Sequence, residues 1–312
     1  MVEWRDLDMA EKKVVYFGKI NITSRHVYDI YKAESNVYKI LLPVLININD
    51  GLEYVYSYTY MYDDKIIEEK IQYTLRIREK TDTYIYGYLS KKGKIPYKQE
   101  NMSGELVPGY IDNTERIEFY YDVFKEKIGY YTSNRFGHKE ILDVFENMLN
   151  SLFVEEEDAL TFSVSRLTNG LDINKIEQEL QSINNIQKLK FTFRPANPDS
   201  ELLAGIIKNG KEKLEEFEDA NLSVKHVELS AASRMGLNIY SNMVQEQINY
   251  VSSINSSMTF EKATGNGYVK VEAVGRDGIT HSTEEKAPVK KEINNVIDFK
   301  KACQELINKG NA

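Results

Sequence analysis

From Tyr54 to Tyr62, tyrosine recurs at every second position: Tyr54, Tyr56, Tyr58, Tyr60 and Tyr62. A period of two belongs to an extended strand, where alternate side chains share a face. A helix would scatter the five rings around its circumference. The intervening Val55 and Thr59 are β-branched and reinforce the strand preference. The chain must therefore build a sheet with one tyrosine-rich face. Such a face can wall a core with its hydroxyls at the rim, meet another subunit, or stack bases.

The neighbouring sequence extends this sheet. Residues 13–22, 70–77, 83–89, 117–121 and 127–131 are rich in β-branched and aromatic side chains and read as further strands. Asn49-Asp50-Gly51 is a turn signal. Residues 26–40 suggest a helix broken near Ser35 and Asn36. Residues 90–108 contain Gly93, Pro96, Gly104 and Pro108 and read as a long polar loop. Over residues 136–153, the side chains of Ile141, Val144, Phe145, Met148, Leu149 and Leu152 form one helical stripe.

The acidic run Glu155 to Asp158 marks a change of rhythm. Beyond it, strands are expected at 159–165, 189–194, 223–230, 258–263 and 268–274, with helices at 173–183, 200–217 and 239–254. Residues 289–308 carry a helical pattern with Val296, Phe299, Ala302, Cys303 and Leu306. The expectation is an α+β protein: a β-rich N-terminal half followed by a mixed α/β C-terminal half. Its expected units are a β-rich domain with a closing helix (1–155), an α/β domain (156–286) and a helical tail (287–312).

Composition narrows the setting. Of 312 residues, 42% are hydrophobic and 28% charged, enough apolar material for packed cores without covalent staples. Cys303 is the only cysteine, so no intrachain disulfide can form. The first residues lack an apolar leader, and the longest apolar stretch, 38–46, is interrupted by Lys39 and Pro43. A cytoplasmic protein without a membrane segment is expected. The formal net charge of −8 opposes phosphate binding by the surface as a whole, but not by a local basic patch. Lys91, Lys92, Lys94 and Lys98, with Tyr97 among them, suit such a patch, and an ordinary solvated loop explains them at least as well.

Other chemistry is incomplete in the sequence. Asp63, Asp64, Glu68, Glu69 and Lys70 supply the residue types of a metal-dependent nuclease, yet they crowd a single turn region, and a solvated turn between two strands is the better explanation. His26, His138, His226 and His281 have no metal-ligand spacing. Asn266-Gly267 and Asp277-Gly278 read as tight turns, not phosphate loops. Arg194, before Pro195 and ahead of an expected helix start at Asp199 or Ser200, could face a helix N-terminus and hold an anion. No catalytic residue, metal ligand or cofactor is assigned.

Three stretches carry a family likeness: FTFRPANPD (Phe191 to Asp199), NGYVKVEAVGRDG (Asn266 to Gly278), and the hairpin and helix from Ile117 to Leu149. The chain resembles a bacterial family of uncharacterised proteins with an Arg-Pro-Xaa-Asn-Pro-Asp segment. In overall layout it is similar to the phage-exclusion protein RexA and, more remotely, to the DNA-binding subunit of the Kiwa defence system. The resemblance implies a non-enzymatic, homodimeric, DNA-associated protein of anti-phage defence or phage exclusion, and transfers no catalytic residue. From the residues alone, the expected DNA-binding set is Lys91, Lys92, Lys94, Tyr97, Lys98 and Arg194. Two alternatives stand beside it: a metal-dependent nuclease effector, and an acidic regulator that binds a DNA-handling protein or mimics DNA.

Overall fold

The computed structural model describes residues 12–32, 36–62, 65–100, 102–155, 158–196, 211–254, 260–294 and 298–308. Two antiparallel sheets organise them, and the fold is α+β, with a large curled sheet in the N-terminal half and a mixed α/β C-terminal half.

The first sheet has the order β12-β1-β6-β5-β4-β3-β2, with β7 also paired to β1. Its strands are β1 (Lys13–Ile22), β2 (Glu53–Tyr62), β3 (Lys65–Lys80), β4 (Tyr84–Glu100), β5 (Leu106–Asp122), β6 (Lys127–Tyr130), β7 (Phe162–Arg166) and β12 (Lys290–Ile293). One face packs on α2 (Val37–Asn47) and α3 (His138–Asn150). The apolar stripe of α3 buries Ile141, Leu142, Val144, Phe145, Met148 and Leu149 against Leu75, Leu89, Ile117 and Phe119 of the strands. Each such side chain contributes about 1.5–3 kcal/mol by leaving water. The Asn36 side chain accepts a hydrogen bond from the Lys39 N–H at 2.8 Å and starts α2.

The opposite face is covered at one end by α8 (Phe299–Asn308), which buries Phe299, Ala302, Cys303 and Ile307 against Val15, Phe17 and Tyr120. Gly129 permits this seat. A Cβ there would lie 2.5 Å from the Cys303 Sγ, a separation no packed pair tolerates.

The second sheet, β11-β10-β8-β9, contains β8 (Lys188–Phe193), β9 (Lys225–Ser230), β10 (Val269–Val274) and β11 (Thr280–Ser282). Its core joins Phe191, Phe193, Val269 and Val271 to side chains of α1 (His26–Tyr31), α4 (Ile173–Ser182), α5 (Lys211–Asp219), α6 (Asn242–Ile254) and α7 (Phe260–Gly265).

Three expectations are corrected. Residues 90–108 are not a loop: they form the outer halves of β4 and β5, joined by a short turn, and pair from Ser90↔Arg116 out to Glu100↔Leu106. The tail is not wholly helical, because β12 precedes α8 and pairs with β1 from Lys13↔Ile293 to Tyr16↔Lys290. The strand expected at 258–263 is replaced, over its described part, by α7. Part of the helix expected at 200–217, namely 200–210, falls outside the described residues, as do Asn197, Pro198, Asp199 and Val296. The expected boundary run includes Glu156 and Glu157, also outside them, and β7, just beyond it, belongs to the first sheet through Gly18↔Arg166 to Ile22↔Phe162. No helix among the described residues is long and apolar enough to cross a membrane.

Candidate nucleic-acid interface

Beyond the reach of α8, the same face of the first sheet is open and basic. Strand alternation and register decide which side chains share it. Arg76 pairs with Tyr88, Thr74 with Ser90, Ser90 with Arg116, and Lys92 with both Gln72 and Thr114. Arg76, Arg78, Tyr88, Lys92 and Arg116 consequently line one groove of about 730 Å³, floored by the hydroxyl-bearing Thr74, Ser90 and Thr114. Asp50, in the turn before β2, sits at its rim. It accepts from the Ile77 N–H at 2.7 Å and from Arg76 at 3.0 Å, and these bonds hold its carboxyl below the usual range.

A β-bulge places Arg78. The register of β3 on β4 runs Ile77↔Gly87 and then Glu79↔Tyr86, leaving Arg78 as the extra residue. Arg78 is thereby turned over the rings of Tyr86 and Tyr88, 5.8 and 5.4 Å from their centroids, and pairs with Glu118. Gly87 makes room for the bulge: a Cβ at this position would lie 1.9 Å from the Arg76 carbonyl oxygen. Arg116 lies over the Tyr88 ring from β5, 5.2 Å from its centroid. The aromatic rings thus act as shelves that orient guanidinium groups.

Two of the four groove cations are partly neutralised, Arg76 by Asp50 and Arg78 by Glu118. Arg116 and Lys92 have no acidic partner among the described residues, so their charge is available to a ligand. Lys94 and Lys98 follow Lys92 at alternate positions of β4, both exposed, and continue the basic line towards the β4–β5 tip.

The structure divides the residues expected from sequence. Lys92, Lys94 and Lys98 share the groove's face. Lys91 alternates to the opposite face, where it donates to the Arg135 carbonyl at 2.6 Å and pairs with Glu140 at 2.7 Å. Tyr97 also alternates away and donates to the Gln99 side chain at 3.0 Å. Arg194 lies on the other sheet. It donates to the Gly267 carbonyl at 3.1 Å, and burial lowers its pKa against the pull of Glu284, Glu146 and Glu272. It serves an internal polar contact, not an open anion site. Arg76, Arg78 and Arg116 escaped the sequence reading because only register brings them together. Only Arg76 falls within a run read as strand; Arg78 and Arg116 lie one residue beyond the runs 70–77 and 117–121, and extending those runs is the signal that could have found them.

The described members of the nuclease set do not converge. Asp63 and Asp64 lie outside the described residues. Glu68 pairs with Lys70 at 3.5 Å, whereas Glu69 points to the other face and accepts from the Tyr58 and Tyr60 hydroxyls at 2.5 and 3.0 Å. Glu68 and Glu69 cannot converge on one ion from opposite sides of a strand.

A curled antiparallel sheet with a basic, arginine-shelved face, followed by a smaller antiparallel sheet packed with helices, makes this chain an α+β protein. Residues 71–298 match the domain of unknown function DUF4747, and the chain belongs to that family. The match takes in the groove's contributions from β3, β4 and β5. None of the curated proteins matches the chain.

Proposed function

We propose that this is a non-enzymatic, sequence-independent DNA-binding protein that acts as a homodimer in the cytoplasm, in bacterial anti-phage defence or phage exclusion. The observation that supports DNA binding is the groove in which Arg76, Arg78, Arg116 and Lys92 converge, two of them without an acidic partner among the described residues. Guanidinium and ammonium groups spaced along a strand suit a row of phosphates, and phosphate contacts carry no base information. A local cationic face also reconciles binding with a net charge of −8. The defence setting rests on the resemblance described above.

The test is a fluorescence-anisotropy titration of the full chain on two unrelated DNA sequences at several salt concentrations. Replacing Arg116 and Lys92 together by glutamate is expected to weaken both complexes equally and to reduce the salt slope by about two. Undiminished binding by a folded double variant would refute the groove as the binding face.

A further inference from the structure

β2 is the last strand of the first sheet, and β3 is its only strand partner among the described residues. Among the described residues nothing pairs with its other edge, which presents a row of backbone N–H and C=O groups. Edge strands are normally protected by lysine, proline, a bulge or shortness. β2 has none of these: its ten residues, EYVYSYTYMY, contain one charge, Glu53, and pair with β3 in unbroken register from Glu53↔Thr74 to Tyr62↔Lys65. Apart from Glu53 at its start, its exposed side chains are apolar or neutral, with Val55 at 49%, Tyr56 at 48% and Met61 at 74% exposure, and Ser57 and Thr59 open beside them.

We propose that this edge is where a second copy of the chain adds, strand to strand. The inference rests on the homodimer reading above and names its interface. An edge that meets itself across a twofold axis must pair antiparallel. An axis at Ser57 sets Tyr54 opposite Tyr60, Tyr56 opposite Tyr58, and Val55 opposite Thr59, so all the tyrosines remain on one face. It leaves Glu53 opposite the neutral Met61. In this register the strand is self-complementary, tyrosine meeting tyrosine with no two like charges opposed, and this fits a second copy of the strand as the occupant.

The tyrosine face is already ordered for this contact. Tyr56 stacks on Tyr58 at 5.9 Å and Tyr58 on Tyr60 at 6.1 Å. Glu69, from the strand behind, accepts from the hydroxyls of Tyr58 and Tyr60, and the Tyr60 hydroxyl lies 3.2 Å from that of Tyr110 on β5. Side chains held in this way lose little further freedom on association.

The test uses the full chain with Ser57→Lys and Ser57→Glu, at a position that is exposed and opposite itself across the proposed axis. Sedimentation velocity is expected to give twice the 36.1 kDa chain mass for the wild type, the single-chain mass for each variant alone, and the dimer mass again when the two variants are mixed in equal amounts. Circular dichroism checks that both variants fold. A wild type that stays monomeric at all concentrations overturns the homodimer reading together with this one. A dimer that persists in both variants, or variants that stay monomeric on mixing, overturns the β2 interface alone. A wild-type monomer that instead binds a strand-forming peptide would assign the edge to another protein.

Discussion

Gly87 couples the backbone of the sheet to the chemistry of the groove, and Gly87→Ala tests that coupling. The added Cβ would sit 1.9 Å from the Arg76 carbonyl oxygen and 3.0 Å from its carbonyl carbon. Both are backbone atoms, so no side-chain rotation relieves the clash, and β3 must retreat by about 1 Å at the bulge. Overpacking of this kind costs about 1–3 kcal/mol. Each kcal/mol corresponds to a melting shift of about 2–4 °C for a protein of somewhat smaller size. The retreat also withdraws Arg78 from Glu118 and from the rings of Tyr86 and Tyr88. Differential scanning fluorimetry is expected to show a lower melting temperature, and anisotropy a weaker DNA complex. A variant with unchanged melting and unchanged affinity would show that close approach at Gly87 does not hold the bulge.

Three other perturbations address separate parts of the account. Lys19 and Glu126 form a 2.8 Å ion pair, both buried to 2% exposure or less. Lys19→Met leaves a buried carboxylate without its cation and is expected to cost about 3–5 kcal/mol, while adding Glu126→Leu recovers much of that loss in the same melting assay. His138 packs edge-on to Tyr16 at 4.1 Å, and burial, then Arg166, lowers its pKa to about 4. Below about 6.5 the unfolded chain takes up a proton that the folded chain refuses, so this histidine reduces stability as pH falls from about 6.5 to about 4. His138→Gln should flatten the pH dependence of stability in that window relative to wild type, and an unaltered difference across it would oppose the assignment. Glu68→Ala, which removes an exposed carboxylate paired with Lys70, should leave DNA affinity unchanged; loss of affinity would bring the acidic cluster back into consideration.

What could be read from the sequence was what local periodicity encodes. The tyrosine alternation of β2 and the stripe of α3 each mark one distinct face, the β-branched and aromatic run of β1 marks a strand buried on both faces, and each element forms where expected. The outer half of β4 was misread because Gly93 and Pro96 are turn residues in most settings. Among the described residues β3 pairs with β4 only as far as Gln72↔Lys92, so beyond Lys92 β4 is paired there to β5 alone. A proline there lies on a strand with a free edge, where a missing N–H need not break a ladder. Pro108 is similarly placed, because β6 pairs with β5 only from Phe119 to Asp122. The strand β12 was missed because four residues, Lys290 to Ile293, carry too little pattern; their partner is nearly the whole chain away. The groove was half legible: Lys92, Lys94 and Lys98 were visible as a cluster, but their alignment with Arg76, Arg78 and Arg116 depends on cross-strand register and one bulge.

The central claim is that DNA lies on the outer face of β3, β4 and β5. Lysine-modification footprinting of the full chain, with and without DNA and read by mass spectrometry, tests it most directly. Lys92, Lys94 and Lys98 lie on the claimed face, whereas Lys188 on the second sheet is 58% exposed and pairs only loosely with Glu228 at 3.4 Å. Bound DNA is expected to protect Lys92, Lys94 and Lys98 and to leave Lys188 as reactive as before. Protection of Lys188 with the β4 lysines still reactive would contradict the account.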